Sequence, residues 1–332
     1  MTNIRDVAKY ASVAPMTVSR VINQPDSVAP ETRQRVEEAI QALRYVPNRL
    51  GLGLRTKRTM VNALLDSDIS NPFAITQILG VGNAAREQGF TVIFTHTNAS
   101  PEEEMVQLRS LVERRVDGVV LSPVLNTPDA TNFLQNQGLP VVVLDYPMPD
   151  NDVDTVRCDS ISAARALTEQ LLALGHERIT MLSGQESIVT ARERAEGYAQ
   201  AMLAAGLAPE VHFGAFTPES GYRMATELLA RADAPTALLT ANNFIALGAA
   251  RAAAAGSIRV PQDLSISTFD SLGADLVLDP FFTAAVQPVE ELALIATSML
   301  LERVMGTYSG PSREVVLPTK IIVHSSTGPV TP

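Results

Sequence analysis

Ten basic side chains fall within the first sixty residues of this 332-residue chain: Arg5, Lys9, Arg20, Arg33, Arg35, Arg44, Arg49, Arg55, Lys57 and Arg58. Five acids (Asp6, Asp26, Glu31, Glu37 and Glu38) oppose them, so this segment carries +5. The remaining chain, with 16 basic and 31 acidic residues, carries −15. Clustered guanidinium and ammonium groups neutralise phosphates, so the net charge of −10 conceals one end suited to a polyanion. Other chemistry finds few candidates. His96, His176, His212 and His324 are scattered singly, with no HExxH and no paired Cys, so no metal site is expected. Gly80-Val81-Gly82-Asn83-Ala84-Ala85 loosely matches a dinucleotide fingerprint, but it lies inside a helical pattern with no strand before it. There is no GxxxxGK phosphate cradle, and no grouping of nucleophile, base and orienting residue. Neither an enzyme nor a cofactor is expected.

The elements that must position the basic residues are short helices. Asn3 and Asp6 read as a capping box opening a helix at residues 4–11, where Ile4, Val7 and Ala8 recur at helical spacing. Pro15 and Pro30 each suit a first helical turn, where the missing N–H is not needed, and Pro47 ends the third helix. Two short helices joined by about three residues, with a third in support, form the helix-turn-helix arrangement. Pro15, Met16 and Arg20 then share its outward face, while Thr17, Ser19, Asn23 and Thr32 are polar groups placed to grip phosphates.

From Met60 the pattern changes. Apolar strand candidates at 61–65, 91–95, 118–121, 141–144, 179–182, 237–240 and 264–269 alternate with helical stretches at 75–88, 160–174, 191–205, 219–230 and 243–255. Glu102, Glu103 and Glu104 after Pro101 suit a helix N-terminus. A late strand at 281–286 and a helix at 289–305 complete the pattern. Near-continuous apolar strands alternating with helices predict an α/β fold of parallel sheets covered on both faces. Some 270 residues of it predict two similar lobes. With 46% hydrophobic and 19% charged residues the chain has ample core. The lone Cys158 can form no internal disulfide, which suits a reducing cytoplasm. The N-terminal MTNIRDVAKY lacks an apolar signal core, and no run of about 18 uncharged apolar residues occurs, so no membrane association is expected.

The segment DVAKYASVAPMTVSRVINQPDSVAPETRQRVEEAIQALRYVPNRL resembles the DNA-binding headpiece of the lactose/galactose repressor (LacI/GalR) family. Further phrases in the body agree: RVDGVVLSP, LPVVVLDYP, LLALGHERITMLSG, PTALLTANNFIALGA, RVPQDLSISTFD and LPTKIIVHSST. The resemblance spans residues 3–327. It implies a helix-turn-helix domain at 1–46, a hinge helix at 47–59, and a two-lobed effector-binding and dimerisation domain at 60–332 that resembles periplasmic sugar-binding proteins. It also implies double-stranded operator DNA as a partner, read as a near-palindrome by a homodimer. Under it Pro15, Met16 and Arg20 read bases, with Arg20 on a guanine and Met16 against a thymine methyl. Asn3 and Asn48 join the DNA-binding set, and Leu54 of each hinge helix wedges into the minor groove. In the body the matching phrases carry over Arg194, Asp270, Asn242 and Asp145 as effector contacts, with Phe73 and Phe216 as stacking walls and Gln287 as a further polar contact. A sugar or sugar acid is implied rather than a purine, because Ile188 stands where the purine-binding branch carries an Arg. The chain stops at Pro332 with no leucine heptad, so a dimer is expected rather than a tetramer. Two other readings fit the lobes: a solute-binding transport receptor, and an enzyme such as a sugar kinase.

Three places depart from the family pattern. Ala14 and Ala29 stand where a Ser or Thr caps the second and third helices, a loss of about 1 kcal/mol each. Gly51 and Gly53 sit in the hinge, each adding about 1 kcal/mol against helix. The hinge is therefore expected to fold only when operator contacts offset its ordering cost.

Overall fold

The computed structural model describes residues 2–46, 58–125, 127–148, 152–270 and 281–330. The expected hinge helix, with Asn48, Gly51, Gly53 and Leu54, lies outside the described residues. The chain divides into two compact units, Met1–Thr59 and Met60–Pro332.

The first unit holds α1 (Ile4–Tyr10), α2 (Pro15–Asn23) and α3 (Pro30–Ala42). The capping box forms as the spacing predicts. Asn3 Oδ1 accepts from the backbone N–H of Arg5 at 2.8 Å and of Asp6 at 3.2 Å, and Asp6 Oδ2 accepts from the Asn3 N–H at 2.9 Å. Ala14 and Ala29 give α2 and α3 no side-chain cap, and each helix begins on its proline. Val7, Val18, Val21, Val36 and Ala39 form the core that holds the three helices together.

The second unit contains two lobes of like winding. Lobe 1 has a six-stranded sheet in the order β11 (Glu314–Leu317), β5 (Asp154–Cys158), β4 (Val141–Leu144), β3 (Gly118–Leu121), β1 (Val61–Asp66), β2 (Thr91–His96). Lobe 2 repeats the pattern with β12 (Lys320–Ile322), β10 (Thr283–Val286), β9 (Ser265–Phe269), β8 (Ala237–Thr240), β6 (Ile179–Ser183), β7 (Val211–Phe213). The pairings are parallel except that of β10 with β12. Successive strand residues face opposite sides, and both sides are covered. In lobe 1, Ala63, Leu65, Val119 and Leu121 join one core, while Leu64, Val120, Val142 and Leu144 join the other. This is why the strands read as unbroken apolar runs.

Helices fill the layers. In lobe 1 these are α4 (Pro72–Glu87), α5 (Pro101–Glu113), α6 (Asp129–Asn136) and, returning late, α11 (Val289–Met305). In lobe 2 they are α7 (Ser160–Ala173), α8 (Val189–Ala204), α9 (Pro218–Leu229) and α10 (Asn243–Ala255). The chain passes between the lobes at 158–160, 286–289 and 317–320. The late strand is shorter than its apolar text suggests: it begins at Thr283, with Phe281 and Phe282 packed edge-to-face before it. The loose dinucleotide fingerprint falls within α4. A Cβ at Gly80 would lie 2.6 Å from the Ala293 Cβ, so this glycine lets α4 and α11 approach closely. No helix among the described residues is long and apolar enough to cross a membrane.

Candidate functional site

The carboxyl ends of β1, β3, β4, β8 and β9 converge on a cleft between the lobes, the place where open parallel sheets bind ligands. The cavity there measures about 130 Å³. All seven residues carried over as effector contacts line it: Phe73, Asp145, Arg194, Phe216, Asn242, Asp270 and Gln287.

Asp145 and Asp270 occupy matching places in the two lobes. Each follows the corresponding strand, β4 or β9, and each adopts a left-handed backbone, with φ of 70° and 57°. The Asp145 N–H donates to the Val156 carbonyl on β5 at 2.8 Å, and the Asp270 N–H to the Ala285 carbonyl on β10 at 3.0 Å. Non-glycine residues rarely hold that conformation unless their surroundings impose it, as happens at ligand sites. Arg194 lies on α8, with its guanidinium 4.2 Å above the Phe269 ring and Nη1 donating to the Ala241 carbonyl. Gln287, at the second lobe crossing, donates from Nε2 to Asp270 Oδ2 at 3.0 Å. Asn242 uses its Oδ1 to cap α10 at the Ile245 N–H, so its amide donors are what it can offer a ligand. The Phe216 ring occupies the space beside Gly184 that any Cβ would fill.

The cleft also contains residues that the sequence reading did not identify, among them Asp66, Gln77, Ser122 and Tyr146. Asp66 and Ser122 end or follow β1 and β3, and Gln77 lies one turn beyond Phe73 on α4. The same strand-end reasoning that selected Asp145 could have found Asp66. For Gln77 the signal was its spacing from Phe73. Both amide atoms of Gln77, Ser122 Oγ, Arg194 Nε and Gln287 Oε1 are buried with no hydrogen-bond partner among the described residues. Leaving such groups unpaired costs about 1–3 kcal/mol each, so they mark where a polar ligand belongs.

The electrostatics are unbalanced. Loss of water pushes Asp66 up to about 6, despite the hydrogen bond its carboxylate accepts from the Asp68 N–H. Burial pushes Asp145 up to about 7, with repulsion from Asp270, Asp66 and Glu193 adding to it and the Arg194 charge opposing. Asp270 is raised by burial too, against the pull of Arg194 and Gln287. Four aspartates, Asp66, Asp68, Asp145 and Asp270, thus line the cavity against one guanidinium, Arg194, which acts on Asp145 and Asp270. Across the cleft, Asn71 and Asn243 exchange amide hydrogen bonds at 3.2 and 3.3 Å, tying the two lobes, while Asn71 Oδ1 also caps α4 at the Phe73 N–H.

In the first unit, Pro15, Met16 and Arg20 are exposed on one face of α2, and Met16 is 63% exposed. Met16 is therefore no core residue. Asn23 folds back, donating from Nδ2 to the Ser19 carbonyl at 2.7 Å and to Ser19 Oγ at 3.3 Å. Thr17, Ser19 and Thr32 are partly buried, and Asn3 uses its side-chain oxygen in the cap of α1.

Two family profiles match this chain: bacterial regulatory proteins of the lacI family over residues 3–48, and periplasmic binding proteins and sugar-binding domain of the LacI family over residues 58–324. The chain belongs to the LacI family. The regulator CelR of Thermobifida fusca is 35% identical over 330 residues, 96% of each chain. The repressor PurR of Pasteurella multocida is 33% identical over 308 residues, 92% of each. Among solved structures, the CelR–cellobiose complex matches with a TM-score of 0.74 at 34% identity, covering 98% of this chain and 100% of the other. The lac repressor dimer bound to operator and the anti-inducer ONPF matches with a TM-score of 0.87 at 26% identity, covering 98% and 99%. This LacI-family protein is a DNA-binding transcriptional regulator, with helix-turn-helix and periplasmic-binding-protein-like domains, and not an enzyme.

Proposed function

We propose that this regulator binds a near-palindromic operator as a homodimer and responds to a neutral sugar held in the cleft. Residues 1–46 meet the DNA, 47–59 form the connection, and 60–332 bind the effector and pair the subunits. The observation that carries the ligand reading is the set of unpartnered buried polar atoms of Gln77, Ser122, Arg194 and Gln287 in a cleft with two phenyl rings, Phe73 and Phe216. A ring with several hydroxyls satisfies such a set, and its apolar faces suit phenyl walls. Charge narrows the class. With Asp66, Asp68, Asp145 and Asp270 against Arg194, an anionic sugar acid meets net repulsion, whereas neutral hydroxyls donate to the carboxylates. Ile188 precedes α8 where the purine-binding branch carries Arg, and the chain has no Trp to stack a base. Pairing is supported by Ile75 and Leu79, one turn apart on α4 and 50% and 61% exposed.

Calorimetry with a panel of neutral sugars, sugar acids and purines tests this reading, followed by gel shifts with and without the tightest ligand. A neutral sugar is expected to bind at least tenfold more tightly than its uronic or aldonic acid and to change operator affinity. A purine or an acid as the tightest ligand overturns it.

Hydroxyls that donate to Asp66 and Asp145 favour their ionised forms, so binding lowers both pKa values from about 6 and about 7. Sugar affinity should therefore rise as pH increases through that window, with protons released on binding. Titrations near pH 6.5 in two buffers of different ionisation heat read the release directly. Proton uptake, or an affinity flat from about pH 5.5 to 7.5, would show that the hydroxyls do not donate to these carboxylates.

A further inference from the structure

Glu102, Glu103 and Glu104 all lie in the opening turns of α5, but the fold treats them differently. Glu102 and Glu103 are exposed. Ser100 Oγ accepts from the Glu103 N–H at 3.2 Å and donates to Glu102 Oε2 at 3.0 Å, so both residues belong to the helix start. Glu104 turns inward. It is 6% exposed and shares the buried face of α5 with Leu108 and Leu111, at the first position of an apolar stripe. The helix dipole favours an acid in the first turns, but it gives no reason for one to face a core. Burying a carboxyl is costly unless a hydrogen bond replaces the lost water. Glu104 has such a bond: its Oε1 accepts from the Val124 N–H at 2.7 Å, which opposes the upward push of burial on its pKa.

That N–H belongs to the loop after β3, where Ser122, Pro123 and Val124 are all buried. Pro123 has no N–H, so this stretch offers two backbone donors, and both are engaged. The Ser122 N–H donates to the Leu65 carbonyl near the end of β1 at 2.9 Å, and the Val124 N–H donates to Glu104. Pro123 between them has a locked φ, which leaves little freedom for one end to shift alone. Ser122 is thereby fixed from both sides. It lines the cleft, and its Oγ is buried with no hydrogen-bond partner among the described residues. Glu104 does not line the cleft, so whatever it does for a ligand it does through this loop.

We propose that Glu104 is a positioning residue for effector binding: by holding the Val124 N–H it sets the loop after β3 so that Ser122 Oγ meets a hydroxyl of the sugar. A contact group fixed before the ligand arrives costs less ordering when the ligand binds. This rests on the carbohydrate reading above and adds to it the residue that stands behind one of its contacts.

The test is a double-mutant cycle read by calorimetry on the full chain. The probe is whichever of glucose, galactose, mannose, xylose and cellobiose binds the parent most tightly. Glu104→Met, similar in length but without an acceptor, should weaken that sugar about tenfold. Glu104→Gln keeps a carbonyl oxygen for the Val124 N–H and should recover most of the loss. Ser122→Ala should also cost about tenfold, and adding Glu104→Met to it should cost less than about twofold more, because the two residues act through one contact. A carboxyl that only supports the fold would give the same loss in both backgrounds. Glu104→Leu takes its place in the cycle if Glu104→Met does not fold. Losses that add, a Glu104→Gln protein no better than Glu104→Met, or parental affinity in Ser122→Ala or in a folded Glu104→Met protein overturn the role of Glu104 and leave the carbohydrate reading standing. Absence of binding by all five sugars overturns both.

Discussion

Arg194→Ala should cost the effector about 1.5–3 kcal/mol of affinity, the range for a hydrogen bond made to a charged group. Arg194 is the guanidinium that faces Asp145 and Asp270, and its Nε is buried with no hydrogen-bond partner among the described residues. Without it, the pKa values of Asp145 and Asp270 rise further, and the hydroxyl acceptors they provide become protonated. The side chain also braces lobe 2 through the Ala241 carbonyl and the Phe269 ring, so a melting curve must accompany the binding measurement. Arg194→Lys separates the roles: it keeps the charge but loses the planar fork, so it should recover part of the stability and little of the affinity. Affinity for the tightest sugar unchanged in a folded Arg194→Ala protein would place the ligand elsewhere.

Arg20→Ala should reduce discrimination by about 1–3 kcal/mol at one base pair per half-site, and the two heads of a dimer feel it twice. Arg20 stands one turn beyond Met16 on α2, and both are exposed while Val18 and Val21 fill the core behind them. An exposed Met beside an Arg at that spacing suits a methyl contact next to a bidentate guanine contact. Variants at Thr17 or Thr32, expected at phosphates, should instead weaken all sequences alike. Anisotropy titrations against operator and single-base variants read both effects. If Arg20→Ala keeps the parent's affinity and selectivity, α2 does not read bases in this register.

The sequence alone determined whatever depends on neighbours along the chain. Asn3 and Asp6 cap α1 because a box needs only residues three apart, and Pro15 and Pro30 start helices because proline's fixed φ acts locally. The central strands were readable because burial on both faces makes them uniformly apolar. The short, mixed strands were not, among them β5 inside its sheet and the edge strands β7, β11 and β12. β5, β7, β11 and β12 mix polar with apolar residues or run only three to five long, and it is pairing with neighbours that makes them strands. The cleft divides the same way. Arg194, Asp270, Asn242 and Asp145 could be named from phrases that match a family, but their distances to one another could not. Only the folded lobes bring Asp66, Gln77 and Ser122 to the same cavity, pair Asn71 with Asn243 across 172 positions of sequence, and bury Gln287 Oε1 without a partner in the cleft. Such convergence arises because each strand end is carried to one edge of its sheet by the winding. The winding is fixed by long-range packing of α4 on α11 and of each helix on its sheet, not by any local run of residues.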